Sequence, residues 1–316
     1  MVSCRRSERG IALLATMLAV ALMTLLVVDF ATTVTLGYRA AQNQADELKA
    51  SYLARSGIGI GLALLEQDSF HDAASPMPYD ALTEAWAQPI PPIPLGGGTV
   101  GVTIVDEARK LNVNGLIDPQ THNVNSDKEQ ILGRLLELLG ISENVVPELE
   151  DWLDPDSIES PGGAEESYYL TLKPPYEPRN GPMPTIGDMR ALKGMDDATF
   201  LTLTNYLTVS QESGININTA SPELIAALTP EFADNPQLVK EIVSIRMIRP
   251  FTNITDLGNL PGVGQFITDI SGQLTTRSSY FTIIGQGDFA GARHRIYATF
   301  QRDSNGSASL TAWHED

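Results

Sequence analysis

Ten carboxylates stand between Arg134 and Lys173 with no basic residue among them: Glu137, Glu143, Glu148, Glu150, Asp151, Asp154, Asp156, Glu159, Glu165 and Glu166. Such a cluster either repels itself or holds cations. Hard divalent ions such as Ca2+ take about six to eight oxygens from carboxylates, amides and main-chain carbonyls. The stretch DWLDPDSIESPGGAEESYY, residues 151–169, offers suitable oxygens on an irregular Pro/Gly loop. An EF-hand is excluded: with Asp154 first, Asp156 falls third and Glu165 twelfth, but Ile158 is fifth and Glu159 stands where glycine is required. A non-EF calcium site is the favoured reading, against a solvated acidic loop. As a catalytic carboxylate pair, Asp154 and Asp156 are poorly disposed, since they are separated only by Pro155.

Other chemistry is poorly supplied. His71, His122, His294 and His314 are scattered with no HExxH spacing, and no GxxxxGK[ST] phosphate cradle occurs. Cys4 is the one cysteine, which excludes an intramolecular disulfide, a Cys-based zinc site and a CxxC redox pair. The chain is therefore expected not to be an enzyme. Its 316 residues are 42% hydrophobic and 19% charged, a globular composition long enough for one large or two modest domains. A formal charge of -18 and a pI near 4.5 disfavour nucleic acid as a partner.

The elements that would carry the acidic loop begin with an apolar N-terminus. Arg5, Arg6 and Arg9 precede Gly10, and Ile11 to Val28 run without a charge until Asp29. That length is just enough to cross a bilayer as a helix, and the basic flank keeps its end cytoplasmic, leaving the body outside. No proline follows until Pro76, and Leu48, Tyr52, Leu53, Ile60, Leu64 and Leu65 recur at helical spacing, so the membrane segment is expected to continue as a spine helix. A basic leader ending in glycine before such a helix resembles the class III signal of type IV pilins and pseudopilins. The resemblance implies cleavage by a prepilin peptidase between Gly10 and Ile11 and methylation of the new terminus. Most pilin-like proteins carry glutamate at the fifth mature position, where this chain has Ala15. The competing reading is an ordinary signal-anchored periplasmic protein.

Beyond the spine, Ser75–Gly98 is rich in Pro and Gly and reads as a connecting loop. Thr99–Asp106 alternates apolar and polar residues and Lys110–Asn114 resumes the pattern, which predicts a hairpin turning at Glu107–Arg109. SYFTIIGQGDF, RHRIYATFQRD and SASLTAW predict a three-strand antiparallel meander. The helical runs DKEQILGRLLELLG, VPELEDWLD, TIGDMRAL, DATFLTLTNYL, SPELIAAL, NPQLVKEIVSIRM and NITDLGNL lie between. The domains are read as a leader (1–10), membrane and spine helix (11–72), loop and first strands (73–114), helical insertion (115–278) and C-terminal strands (279–316).

The insertion carries an internal repeat. LNVNGL from Leu111 matches ININTA from Ile215, 104 residues on, and TIGDMRALKGM from Thr185 matches NITDLGNLPGV from Asn253, 68 residues on. The first copy thus holds 36 extra residues, which include the loop from Pro155 to Pro184. The second copy resembles helix-hairpin-helix modules at Gly262-Val263-Gly264, and a membrane-tethered DNA-binding protein is the rival function. Against it, no basic residue occurs from Pro250 to Thr276 to meet phosphates. The bland reading is a tight helix–helix turn.

Together, the uncharged Ala15, DEARKLNVNGL, LEDWLDPDS, GAEESYYL, PPYEPRNGPM, MRALKGM and ININTA closely resemble the largest minor pseudopilins of type II secretion systems, the general secretion pathway K family, over almost the whole chain. That resemblance implies an α+β, type IV pilin-like fold with a long N-terminal helix, an antiparallel sheet and a large helical insertion with helix-hairpin-helix-like repeats. It implies a single-pass inner-membrane protein with a periplasmic body, partnered by minor pseudopilins I and J at the pseudopilus tip, where secreted proteins come within reach. It also implies calcium bound in the insertion, with Asp154, Asp156, Glu165 and Glu166 the favoured ligands and Asp151, Glu159 and Asn180 further candidates.

Overall fold

In the computed structural model, residues 6–212, 214–303 and 306–316 are described, with side chains from Gly10 onward. The first five residues of the expected leader lie outside them. One helix, α1 (Arg6–Ala74), runs unbroken for 69 residues, a rod of about 100 Å at about 1.5 Å per residue. Its first part is long and apolar enough to cross a membrane, with a mean hydropathy of 2.8 over an 18-residue window that is 0% buried. Ile11, Leu14, Leu18, Leu25 and Val28 are each more than half exposed. The hydroxyls of Thr16 and Thr24 donate to the carbonyls of Leu13 and Val20, both at 2.8 Å, so these polar side chains are satisfied within the helix.

The second part of α1 packs on a five-stranded antiparallel sheet. Its strands are β1 (Ile93–Leu95), β2 (Gly98–Asp106), β7 (Tyr280–Phe289), β8 (Ala292–Arg302) and β9 (Ala308–Glu315), in spatial order β1-β2-β7-β8-β9. Ala50, Leu53, Ala54, Ile58 and Leu65 bury against Val100, Val102, Ile104, Phe281, Ile283 and Ile296. Of the expected stripe, Leu53 and Leu65 are buried and Ile60 and Leu64 pack beside them, but Leu48 and Tyr52 are 57% and 62% exposed, whereas Ala50 and Ala54 are fully buried. Close approach of the backbones is the reason. A Cβ on Gly287 of β7 would stand 1.9 Å from the carbonyl oxygen of Ala50.

The C-terminal meander is as expected, but the hairpin is not. β2 pairs with β1 and β7, while Leu111–Asn112 (β3) leaves the sheet and pairs in parallel with β4 (Leu207–Thr208). The Asp106 carboxylate accepts the N–H of Ala108 at 2.8 Å and starts a 3-10 turn at Glu107–Arg109 that redirects the chain. β1 was hidden in the proline-rich loop; Pro94 is tolerated because β1 is an edge strand.

The insertion has its own core, from Leu111 to Leu274. It contains α2 (Ser126–Leu139), α3 (Val145–Leu153), α4 (Glu166–Tyr169), α5 (Asp197–Leu203), β5 (Ile215–Asn216), α6 (Pro222–Ala227), α7 (Pro230–Asp234), α8 (Pro236–Ile248), α9 (Ile267–Ile270) and β6 (Leu274–Thr275). TIGDMRAL and NITDLGNL form 3-10 rather than α-helix, at Ile186–Ala191 and Ile254–Asn259. The duplication is visible in three dimensions, since β5 pairs in parallel with β6 as β3 does with β4. Each copy is also stapled by one asparagine. Asn114 accepts the Met183 N–H at 2.7 Å and donates to the Met183 carbonyl at 2.9 Å. Asn218 does the same with Phe251, at 2.8 and 2.9 Å. Asn218 and Phe251 lie at the same offsets of 104 and 68 found between the sequence repeats.

Candidate metal centre

Three segments of the first copy build the centre. α3 is buried along its length, and the Trp152 ring meets Tyr169 edge-on at 5.4 Å. Asp154 ends that helix in extended geometry, and Pro155 prevents its continuation. Two successive Asx turns follow: Asp154 accepts the N–H of Asp156 at 3.3 Å, and Asp156 that of Ile158 at 2.8 Å. The loop returns over α3 because buried Asp151 accepts the Ser160 N–H at 3.1 and 3.2 Å. Glu165 is then the residue before α4, which Tyr169 anchors in the core with 0% exposure. The third segment arrives with Gly181, whose N–H donates to the Trp152 carbonyl at 3.2 Å. Next to it Asn180 takes the left-handed region at φ 46 and donates to the Asp156 carbonyl at 2.6 Å.

The result is a convergence of Asp154, Asp156 and Glu165, with one carboxylate oxygen from each within 4.8 Å of the others. Of the other residues expected from sequence, Asn180 is tied to this group by its bond to the Asp156 carbonyl. Asp151 is spent on the loop backbone, and Glu159 and Glu166 are exposed and outside the converging set. Glu165 is 3% exposed and both its carboxylate oxygens are buried without a hydrogen-bond partner, as is Oδ1 of Asn180. Unpartnered buried carboxylate oxygens are costly unless a cation meets them. Burial, then repulsion from Asp156 and Asp151, raises the Asp154 carboxyl to about 6. Burial, then Asp151 and Asp154, raises Glu165 to about 7. The donor set is all oxygen, which suits calcium rather than a soft metal.

A second trio, Asp68, Asp80 and Glu84, also converges within 4.8 Å. Its carboxylates already have partners: the guanidinium of buried Arg302 pairs with Asp68 at 2.9 Å and with Asp80. Glu84 accepts the N–H of Ala81 at 2.8 Å and the indole N–H of Trp86 at 3.0 Å. This junction was missed from sequence. It extends into the insertion, because the Asn216 amide donates to the Asp80 carbonyl at 3.0 Å and to Asp106 at 3.2 Å, tying β5 to the five-stranded sheet.

The Gly262-Val263-Gly264 hairpin is a packing turn. Gly262 has φ +83, a Cβ on Gly264 would stand 2.7 Å from the Gly258 carbonyl oxygen, and Val263 is 1% exposed. The α9 that follows has four residues and Asp269 in its first turn.

Comparison with known proteins agrees with this architecture. Residues 109–212 and 215–277 each match the family described as type II secretion system (T2SS), protein K, and the gap between the two matches falls between the two copies of the repeat. Type II secretion system protein K of Pseudomonas aeruginosa is 30% identical over 98% of this chain and 93% of its own length. The protein of the same name from Aeromonas hydrophila is 26% identical over 96% and 95%. The fold matches a chain in the crystal structure of the GspK-GspI-GspJ complex from the enterotoxigenic Escherichia coli type 2 secretion system, with a TM-score of 0.72 at 21% identity, covering 88% of this chain and 99% of that one. These relatives give the DNA-binding alternative no support and place the sheet, spine helix and insertion in a pilin-like fold. The chain belongs to the type II secretion system protein K family, the large minor pseudopilins.

Proposed function

We propose that this minor pseudopilin sits at the tip of the pseudopilus, in complex with minor pseudopilins I and J, and that calcium rigidifies its insertion. The carrying observation is the shape of the chain. A single helix joins an apolar, exposed half to a half packed on the sheet, and the sheet bears an insertion with a core of its own between β2 and β7. A head of that size ends a helical stack by geometry, because another subunit above it would meet the insertion. Ala15 removes the carboxylate that would pair with a neighbouring amino terminus, which favours the first place in the assembly.

The helix anchors the protein in the inner membrane with its body in the periplasm. Prepilin peptidase removes the leader between Gly10 and Ile11, and the new Ile11 terminus is methylated. Asp154, Asp156, Glu165 and the Asn180 side-chain oxygen would hold the calcium ion, whose charge offsets the clustered carboxylates and joins the end of α3, the acidic loop and the Asn180 segment. The chain's own part is structural: it positions neighbours and exposes a surface to secreted proteins. Mass spectrometry of membrane-extracted protein, made with and without the peptidase, tests the route. N-methylated Ile11 that depends on the peptidase supports it. A retained Met1, or cleavage after Val28, would mean a signal-anchored or exported protein. Co-purification with I and J tests the assembly.

A further inference from the structure

A groove of about 480 Å3 opens between α2 and α3, lined by Glu129, Glu143 and Glu150 together with Val146, Pro147 and Pro161. Glu150 is 9% exposed, and its Oε1 is buried without a hydrogen-bond partner. None of the three glutamates is in an ion pair among the described residues. They also do not converge: the carboxylate trios within 4.8 Å are Asp68, Asp80, Glu84 and Asp154, Asp156, Glu165. Spread carboxylates around an open, partly apolar groove are poorly arranged for a point ion, which needs oxygens gathered about one centre. They suit an extended cation whose several N–H donors fan outward and whose aliphatic stem lies on apolar surface.

We propose that this groove receives an arginine side chain from a basic segment of a partner protein. The guanidinium fork bonds carboxylates with two parallel N–H groups and sheds water more readily than an ammonium, which fits a half-enclosed site with one deeply buried acid. Val146, Pro147 and Pro161 form the wall for its methylenes. Charge complementarity names the partner class, since this chain carries a net charge of -18 and leaves these three acids unanswered. Glu150 neighbours the proposed calcium centre, since its carbonyl accepts the Asp154 N–H at 2.9 Å, but its carboxylate is not among the converging oxygens there.

The test uses the full chain in detergent with saturating calcium and a fluorescein-labelled Gly-Arg-Gly-Arg-Gly peptide, read by anisotropy. Binding is expected, with affinity falling at least about tenfold on Glu150→Gln. Replacing arginine by the uncharged isostere citrulline should abolish it, and Glu137→Gln, an exposed acid outside the groove, should leave it unchanged. An unchanged circular dichroism spectrum and a cooperative melting transition establish that Glu150→Gln is folded. The absence of binding, an unaltered affinity in Glu150→Gln, an equal loss in Glu137→Gln, or binding that emerges only once calcium is chelated would each overturn the proposal. The last outcome would assign the groove to a metal ion.

Discussion

Glu165 holds two buried carboxylate oxygens that no group on the chain answers, and Asp154 and Asp156 crowd beside it. The calcium reading makes a pH-dependent claim at this scale. Folding raises the carboxyls of Asp154 to about 6 and Glu165 to about 7 from ordinary values of 3.8 and 4.5. The ion-free folded protein therefore binds more protons than the unfolded chain. Its stability contribution from these groups is present below the unfolded values and is lost as pH rises through the folded ones. With chelator, melting temperature should fall from about pH 5 to about pH 8; with calcium the trend should reverse, because the ion needs the carboxylates deprotonated. At neutral pH, calcium at a hundredfold its dissociation constant should raise the melting temperature by about 5–10 °C. Asp154→Asn combined with Glu165→Gln should remove that rise, and scanning calorimetry checks both. The acidic loop was legible from its charge run alone. Which acids converge was not: Asp151 is taken up by the Ser160 N–H and Glu166 faces solvent, while Asp154 and Glu165 flank α3 and α4, and tertiary packing decides that.

Small residues govern the elements. The helix-to-sheet contact depends on Gly287 facing Ala50, so Gly287→Val should push α1 off β7 and cost about 1–3 kcal/mol or more in chemical denaturation. Asn218 is 1% exposed and satisfies both backbone groups of Phe251. Asn218→Ala should cost about 1–3 kcal/mol, and Asn114→Ala less, since Asn114 is only half-buried. Equal losses would argue against the staples having the weight given them by burial. The meander and the repeat were readable because period-2 alternation and paired asparagines are local signals. β3 was misjudged as half of a hairpin because alternation does not name a partner, and its partner, β4, lies far along the chain. Leu53 and Leu65 of the spine stripe were legible, but Ala50 and Ala54 were not, because large apolar residues such as Leu48 dominate a hydrophobic pattern while small ones share the contact.

At the scale of the whole molecule, Arg302 is the tie between parts. It joins Asp68 of the spine, Asp80 of the loop and the Ser278 carbonyl before β7, partners up to 234 residues apart, which is why no sequence pattern announced it. Arg302→Met leaves buried carboxylates without a counter-ion and should cost about 3–5 kcal/mol, seen as a lowered denaturation midpoint. Asp68 lies on the same unbroken helix as the exposed apolar N-terminal part, so this junction braces the head against the spine. Ala15→Glu should divert a fraction of the protein from the tip into the shaft, because it restores a carboxylate for a neighbouring amino terminus. The most direct test of the account is immunogold labelling of an epitope-tagged chain on assembled pseudopili. Label confined to one end of each filament is the predicted result. Label distributed along the shaft would contradict a capping subunit.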